Sequence, residues 1–206
     1  MMKTLEKLPY FTLAQLALFC KDKKNATVVV TNKLRQKKLH SIREWIYISD
    51  KKLLEISSSG KISLFKEFIA TNLVYSPSYL SLEYVLFEHN IISENVYNFT
   101  LVTIKKTARF QNEFGTFVYK SIKDSFFWDY ETKKLNGFVV YKASPEKALF
   151  DYLYFQRWII FQESYFKELR LNLRNINLKK LKQIIDKYPS RKLEKCFIFL
   201  RRLKWL

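Results

Sequence analysis

The sequence predicts an α+β fold in two parts, and three observations predict it. Helical periodicity followed by a short strand pair fills the first 56 residues. Strand-like segments rich in β-branched and aromatic residues crowd the middle, and amphipathic, lysine-rich helical patterns fill the C-terminal part. A chain of 206 residues that is 48% hydrophobic and 17% aromatic can bury a core of the size this needs.

The first part begins with Phe11-Thr12-Leu13-Ala14-Gln15-Leu16, which has the marks of a helix start. Thr12 is placed to cap, Gln15 completes a capping box three residues on, and Phe11 with Leu16 forms a hydrophobic staple. A helix over 12–20 follows, burying Leu13, Leu16 and Ala17. The polar break at 21–25 separates it from a second helix over 26–38, with Asn25 as the predicted cap. Leu39-His40 and Trp45-Ile46-Tyr47-Ile48 then read as the strands of a short hairpin around Ser41-Ile42-Arg43-Glu44. Helix, turn, helix and hairpin in that order predict a winged helix-turn-helix over 1–56. Ser57-Ser58-Ser59-Gly60, dense in small residues, is the predicted linker at 57–60.

The second part, 61–206, opens with a helix over 64–73, a turn at Ser76-Pro77-Ser78 and a helix over 81–89 capped by its serine. Strand-like segments follow at 97–104, 108–111, 116–122 and 138–142, and together they predict a small antiparallel sheet. Ser144-Pro145-Glu146 starts a further helix, with a cap, a proline at the first helical position and an acid in the first turn. Helical patterns then cover 163–171, 178–188 and 191 to the end.

Charge is unevenly spread. Residues 1–60 carry 12 Lys/Arg against 5 Asp/Glu, residues 61–155 carry 11 against 10, and residues 156–206 carry 14 against 4, within a net charge of +18. A field of this sign favours polyanions, and nucleic acid is the usual one. No run approaches the ~18 apolar residues of a membrane span, and no membrane partner is expected. The N-terminus lacks a signal-peptide pattern, and Cys20 and Cys196 lie inside apolar patterns, so a reducing cytoplasm is the expected setting. His40 and His89 are the only histidines, the cysteines are far apart, and three glycines cannot build a phosphate-cradling loop. No metal, cofactor or catalytic residue is predicted; carboxylates such as Glu83, Glu88, Asp129, Glu146 and Asp151 show no spacing that singles them out.

A recognition helix buries one face and turns short polar and arginine side chains toward base edges in the major groove. With Val30 and Leu34 inward, a turn of 100° per residue places Val28, Asn32 and Arg35 outward, flanked by Asn25, Thr31 and Gln36. Asn32 and Gln36 suit adenine, Arg35 suits guanine, and Val28 and the Thr31 methyl suit a thymine methyl, while Lys33 and Lys37 can reach phosphates. The predicted DNA-contacting set is thus Thr27, Val28, Thr31, Asn32, Lys33, Arg35, Gln36 and Lys37; an ordinary solvated helix face is the plainer alternative. Apolar stripes at Leu178, Leu181 and Ile185, and at Leu193, Phe197 and Leu200, leave Lys179, Lys180, Lys182, Lys195, Arg201 and Arg202 as a candidate auxiliary basic surface.

Four ordered blocks of the second part carry a family resemblance. They run from Pro77-Ser78-Tyr79-Leu80-Ser81-Leu82-Glu83 to Ile92, through Val102-Thr103-Ile104-Lys105-Lys106-Thr107-Ala108-Arg109-Phe110, through Phe114-Gly115-Thr116-Phe117-Val118-Tyr119 to Ile122, and through Ala143-Ser144-Pro145-Glu146-Lys147-Ala148-Leu149-Phe150-Asp151 to Tyr154. In content and spacing they resemble the AbiEi-type antitoxins of bacterial abortive-infection systems, and the flanking parts resemble the same family in order and length. The resemblance implies an antitoxin of type IV that counteracts a co-encoded nucleotidyltransferase toxin. It also implies repression of its own operon through double-stranded promoter DNA with inverted repeats. A stand-alone winged-helix regulator, or a nucleic-acid-binding module with an unrelated C-terminal partner domain, is the alternative.

The sequence departs from that family at two glycines. Where the family follows the recognition helix with Arg-Gly-x-Leu, this chain has Gln36-Lys37-Lys38-Leu39; where the family closes the wing with Gly-x-Tyr, it has Trp45-Ile46-Tyr47. The expectation is a second helix that ends without a left-handed cap and a wing that is shorter or differently bent.

Overall fold

The computed structural model describes residues 2–20, 22–135, 137–156, 166 and 168–203. A short α1 (Met2–Leu5) leads to β1 (Phe11–Thr12), α2 (Leu13–Ala17) and α3 (Lys23–Arg35), followed by a hairpin of β2 (Leu39–Arg43) and β3 (Ile46–Ser49). The three strands form an antiparallel sheet in the order β1-β3-β2. The capping box is present: the Gln15 amide donates to Thr12 Oγ1 at 3.2 Å, and the Thr12 amide donates to Gln15 Oε1 at 2.8 Å. Phe11 and Leu16 are both buried, in a small cluster with Leu5, Leu13, Ala26, Val30, Leu39 and Tyr47.

Two local expectations shift. The cap of α3 is Asp22, whose Oδ1 accepts from the Asn25 amide at 2.7 Å, so the helix starts three residues before the predicted point. Its two leading lysines face water and hide the amphipathic signal there. The end of α3 does have a left-handed residue: Lys37 sits at φ 56°, the Lys38 amide donates to the Lys33 carbonyl at 2.9 Å, and the Lys37 amide donates to that of Leu34 at 3.0 Å. That bond pattern closes a helix in a Schellman turn, here built on lysine in place of glycine.

α4 (Asp50–Ser58) follows, capped by Ser49, and α5 (Ile62–Phe68) runs into a π-helical turn at Ile69–Val74. Ser57 and Ser58 are the last residues of α4, and Gly60 turns the chain at φ 70°, so the small-residue stretch forms a helix–helix corner. Beyond it lie β4 (Ser78–Leu80), α6 (Leu82–Glu88), β5 (Phe99–Thr103), β6 (Ala108–Asn112), β7 (Gly115–Ser121), β8 (Tyr130–Leu135) and β9 (Phe138–Ala143). The six strands form one sheet, β6-β7-β5-β4-β9-β8. It is mixed, which corrects the antiparallel expectation: β5 pairs parallel with β7 and β4 with β9, the other neighbours antiparallel. β4 and β8 are strands that the sequence did not announce.

α7 (Pro145–Phe155), α8 (Leu178–Lys187) and α9 (Arg191–Leu203) cover this sheet's end of the molecule, α8 and α9 packing on α7. Ser144 caps α7 as predicted, its side chain accepting from the Lys147 amide. Ser81 caps differently from the expectation. It makes no side-chain bond to α6 and donates instead to Asp151 Oδ2 at 2.8 Å. Of the helix predicted over 163–171, residues 163–165 and 167 lie outside the described residues, and 169–171 are turn and loop.

One large core joins the two parts. Ile42 of β2, Ile48 of β3 and Ile56 of α4 belong to the same buried cluster as Phe65, Ile69, Tyr79, Leu101, Phe117 and Phe150. The hairpin is therefore a shared wall: Leu39 and Tyr47 point into the small cluster, Ile42 and Ile48 into the large one.

Candidate nucleic-acid interface

The face of α3 is set by its packing on α2 and β2. Ala26 and Val30 are buried and Leu34 is half-buried, which leaves Thr27, Val28, Thr31, Asn32, Arg35, Gln36 and Lys37 exposed. Val28 is 53% exposed although apolar, so the outward face offers a hydrocarbon contact between polar groups. Thr27 donates to the Lys23 carbonyl at 3.0 Å and Thr31 to the Thr27 carbonyl at 2.9 Å. With their protons used inside the helix, both hydroxyls keep acceptor lone pairs and a methyl for any outside partner. Asn32, Arg35 and Gln36 complete the donor and acceptor set.

Lys33 stands apart from the other seven. Its ammonium donates to Glu6 Oε1 at 2.8 Å with a side chain only 24% exposed, tying α3 to the end of α1. Two further residues extend the face beyond the predicted set. Lys23, at the start of α3, holds its ammonium 5.0 Å from the ring centre of Trp45, which lies in the β2–β3 turn and is 45% exposed. The available sequence signal was a tryptophan among polar turn residues. Trp45 also has a left-handed backbone, φ 69°, and its carbonyl accepts from the Leu13 amide at 2.9 Å, which joins the hairpin tip to the start of α2.

Lys179, Lys195, Arg201 and Arg202 are exposed, while Lys182 bonds Asp186 one turn along α8, and Lys180 lies 3.4 Å from the buried Glu146 carboxylate. Leu181, Ile184, Ile185, Leu193, Cys196 and Leu200 form the inward stripes, with Phe197 half-buried. Burial pushes the Cys196 thiol up to about 11, a value that leaves it protonated and inert at neutral pH.

Several carboxylates of the second part are held in ion pairs. Asp151 lies 2.6 Å from Lys147, Asp129 2.8 Å from Lys187, Glu88 3.0 Å from Lys142 and Glu83 3.6 Å from Lys120. Glu146 Oε1 accepts from the Asn177 amide at 3.0 Å, in the link that leads into α8. Among the described residues, no group of three or more His, Cys, Asp or Glu side chains is placed to hold a metal ion. No helix among them is long and apolar enough to cross a membrane. No protein-family model matches the chain, and no curated protein matches it.

Proposed function

We propose that the chain is an AbiEi-type antitoxin that represses its own operon. On this reading the N-terminal part is a winged helix-turn-helix, and α3 reads inverted repeats in promoter DNA through Val28, Asn32, Arg35 and Gln36. The larger part counteracts a co-encoded nucleotidyltransferase toxin. One observation carries the reading. The two positions at which the resembling family has glycine, Lys37 and Trp45, both have the left-handed backbone that glycine favours. A chance likeness in the four blocks of the second part gives no reason for that coincidence in the first. The element order helix, strand, helix, helix and hairpin, with β3 between β1 and β2, supports the same reading.

The test uses the full chain. Binding to the DNA upstream of its own gene is measured against a scrambled duplex, and growth is followed in cells that express the neighbouring nucleotidyltransferase with and without it. Sequence-selective binding together with restored growth is the expected result. Binding without restored growth favours the stand-alone regulator, and restored growth without binding removes the autoregulatory half.

A further inference from the structure

The β6–β7 turn grips the outer strand of the N-terminal hairpin. Asn112 Nδ2 donates to the Ile42 carbonyl at 2.6 Å. On the same strand, Arg43 donates to the Val74 carbonyl and lies 5.6 Å from the ring centre of Phe110. Next to Asn112, Glu113 Oε2 is 2.6 Å from Nδ1 of His40, whose Nε2 is 3.1 Å from Oδ1 of Asp50 at the start of α4. Gly115 holds this turn close to the sheet: at φ 144°, a Cβ there would meet Phe99 Cε2 at 3.0 Å.

His40 is the part of this grip that changes charge near neutral pH. Both ring nitrogens face carboxylate oxygens, which only accept, so both bonds form only when both nitrogens carry protons. A neutral ring turns a lone pair toward one carboxylate and loses its charge attraction to both.

We propose that His40 is a protonation-operated clasp between the hairpin and the β6–β7 turn, closed when the ring is cationic and loosened when it is neutral. The inference is independent of what α3 binds. Burial acts against the cation, but the bonds to Asp50 and Glu113 and their charges outweigh it and raise the His40 pKa above 6.5. Few other charges lie on the elements that pack on β2. α3 carries Lys23, over Trp45, exposed Lys24, Lys33, engaged with Glu6, and exposed Arg35; Lys37 and Lys38 precede the strand and are exposed; Arg43 and Arg109 lie on β2 and β6. β3 adds Tyr47, packed against Phe11 in the small cluster, and the π-helical turn adds no titratable group. A histidine whose folded pKa is raised stabilises fully below its unfolded pKa, and that contribution is lost as pH rises through the folded value. The clasp is thus fully closed below about pH 6.5 and opens as pH rises through the raised folded value of His40.

The chain has two histidines, so isotope-labelled imidazole signals separate His40 from His89. In the full chain His40 is expected to titrate above 6.5, and Glu113→Gln is expected to lower its midpoint by roughly half a unit or more. Amide exchange over 39–43 and 108–115, corrected for intrinsic rates, is expected to quicken several-fold between about pH 5.5 and about pH 8.5. The same change should vanish in His40→Gln. Glu113→Gln, on an exposed turn, gives the second reading if His40→Gln folds poorly. A His40 midpoint at or below 6.5 that Glu113→Gln leaves in place overturns the clasp, as does an equal exchange change in wild type and both variants.

Discussion

Lys37 and Trp45 bracket strand β2 with left-handed backbone at both ends, φ 56° before it and φ 69° after it. Neither residue type favours that region, where a side chain costs about 1–2 kcal/mol. Lys37→Gly removes that cost, against about 0.5–1 kcal/mol for the freer unfolded chain. The expected result in urea denaturation is a gain of roughly 0.5–1 kcal/mol. Trp45→Gly should gain less, because it also loses the contact with Lys23. Destabilisation by Lys37→Gly would show that the lysine side chain contributes more than its backbone strain costs.

Arg35 and Lys33 lie on one helix with different neighbours, and they should fail differently. Under the proposed function, Arg35→Ala is expected to cost ~1–3 kcal/mol on the operator and to relax preference at one base position. Lys33→Ala breaks a partly exposed ion pair with Glu6 worth about 0–1 kcal/mol of stability, and should leave the salt dependence of DNA binding unchanged. A binding isotherm at several salt concentrations separates the two. A flattened salt slope for Lys33→Ala would return Lys33 to the phosphate-contacting group.

Ile48 is fully buried in the core shared by the hairpin and the large sheet. Ile48→Ala should therefore cost ~2–5 kcal/mol and lower the stability of the whole chain in one transition. Thermal unfolding followed by circular dichroism and by tryptophan fluorescence should give coincident curves. Two separated transitions would mean that the first 56 residues fold apart from the rest. The shared core is also why the tests of function use the full chain: a fragment starting at residue 61 lacks Ile42, Ile48 and Ile56, which the large core buries.

What the sequence made legible was local. The Thr12–Gln15 box and the Ser144-Pro145 start each depend on residues three apart, and both are present. The inward face of α3 followed from its period. Features that depend on distant partners were not legible. Ser81 reads as a cap, yet its hydroxyl is claimed by Asp151, 70 residues away. β4 has three residues, all buried, and so shows no alternation. β8 is an edge strand carrying Glu131, Lys133 and Lys134, charges that protect an edge and erase the usual strand signal. The parallel pairings of β5 with β7 and β4 with β9 rest on how distant segments align, which residue periodicity does not encode. In the α3 face, the diversion of Lys33 to Glu6 required knowing where α1 ends.

Lys147 and Asp151 form an ion pair with no exposure on either side chain. Asp151 also accepts from Tyr79 at 2.9 Å and Ser81 at 2.8 Å, while Lys147 donates to the Phe126 carbonyl at 2.9 Å. Burial pushes the Asp151 carboxyl up, and the three donors around it oppose that push. The Lys147 ammonium only donates, so Oδ1 of Asp151 acts as an acceptor. Removing one partner leaves the other charged, buried and unpaired, so Lys147→Met or Asp151→Leu should each cost ~3–5 kcal/mol. The double variant should recover part of that loss, since apolar groups of similar volume can replace a buried pair. Equilibrium denaturation of the three proteins closes the cycle, and additive losses would rule out the pair as a unit.

Glu146 links two helices: it stands in the first turn of α7, and its carboxylate accepts from the Asn177 amide just before α8. Burial disfavours its charge, but the Asn177 amide, its own amide and Lys180 outweigh burial and hold the carboxyl below its ordinary range. A carboxyl with a lowered folded pKa stabilises above its unfolded value of about 4.3, and that contribution is lost as pH falls through the folded value. Glu146→Gln should therefore cost ~1–2 kcal/mol near neutral pH, and the difference from wild type should close as pH falls below about 4. The Lys180 partner is 46% exposed and screened by solvent, so most of the effect should survive added salt. Urea denaturation of both proteins across that pH range reads it directly. A gap that stays constant with pH would assign the loss to side-chain packing and remove the charge on Glu146 as the tie between α7 and the basic helix α8.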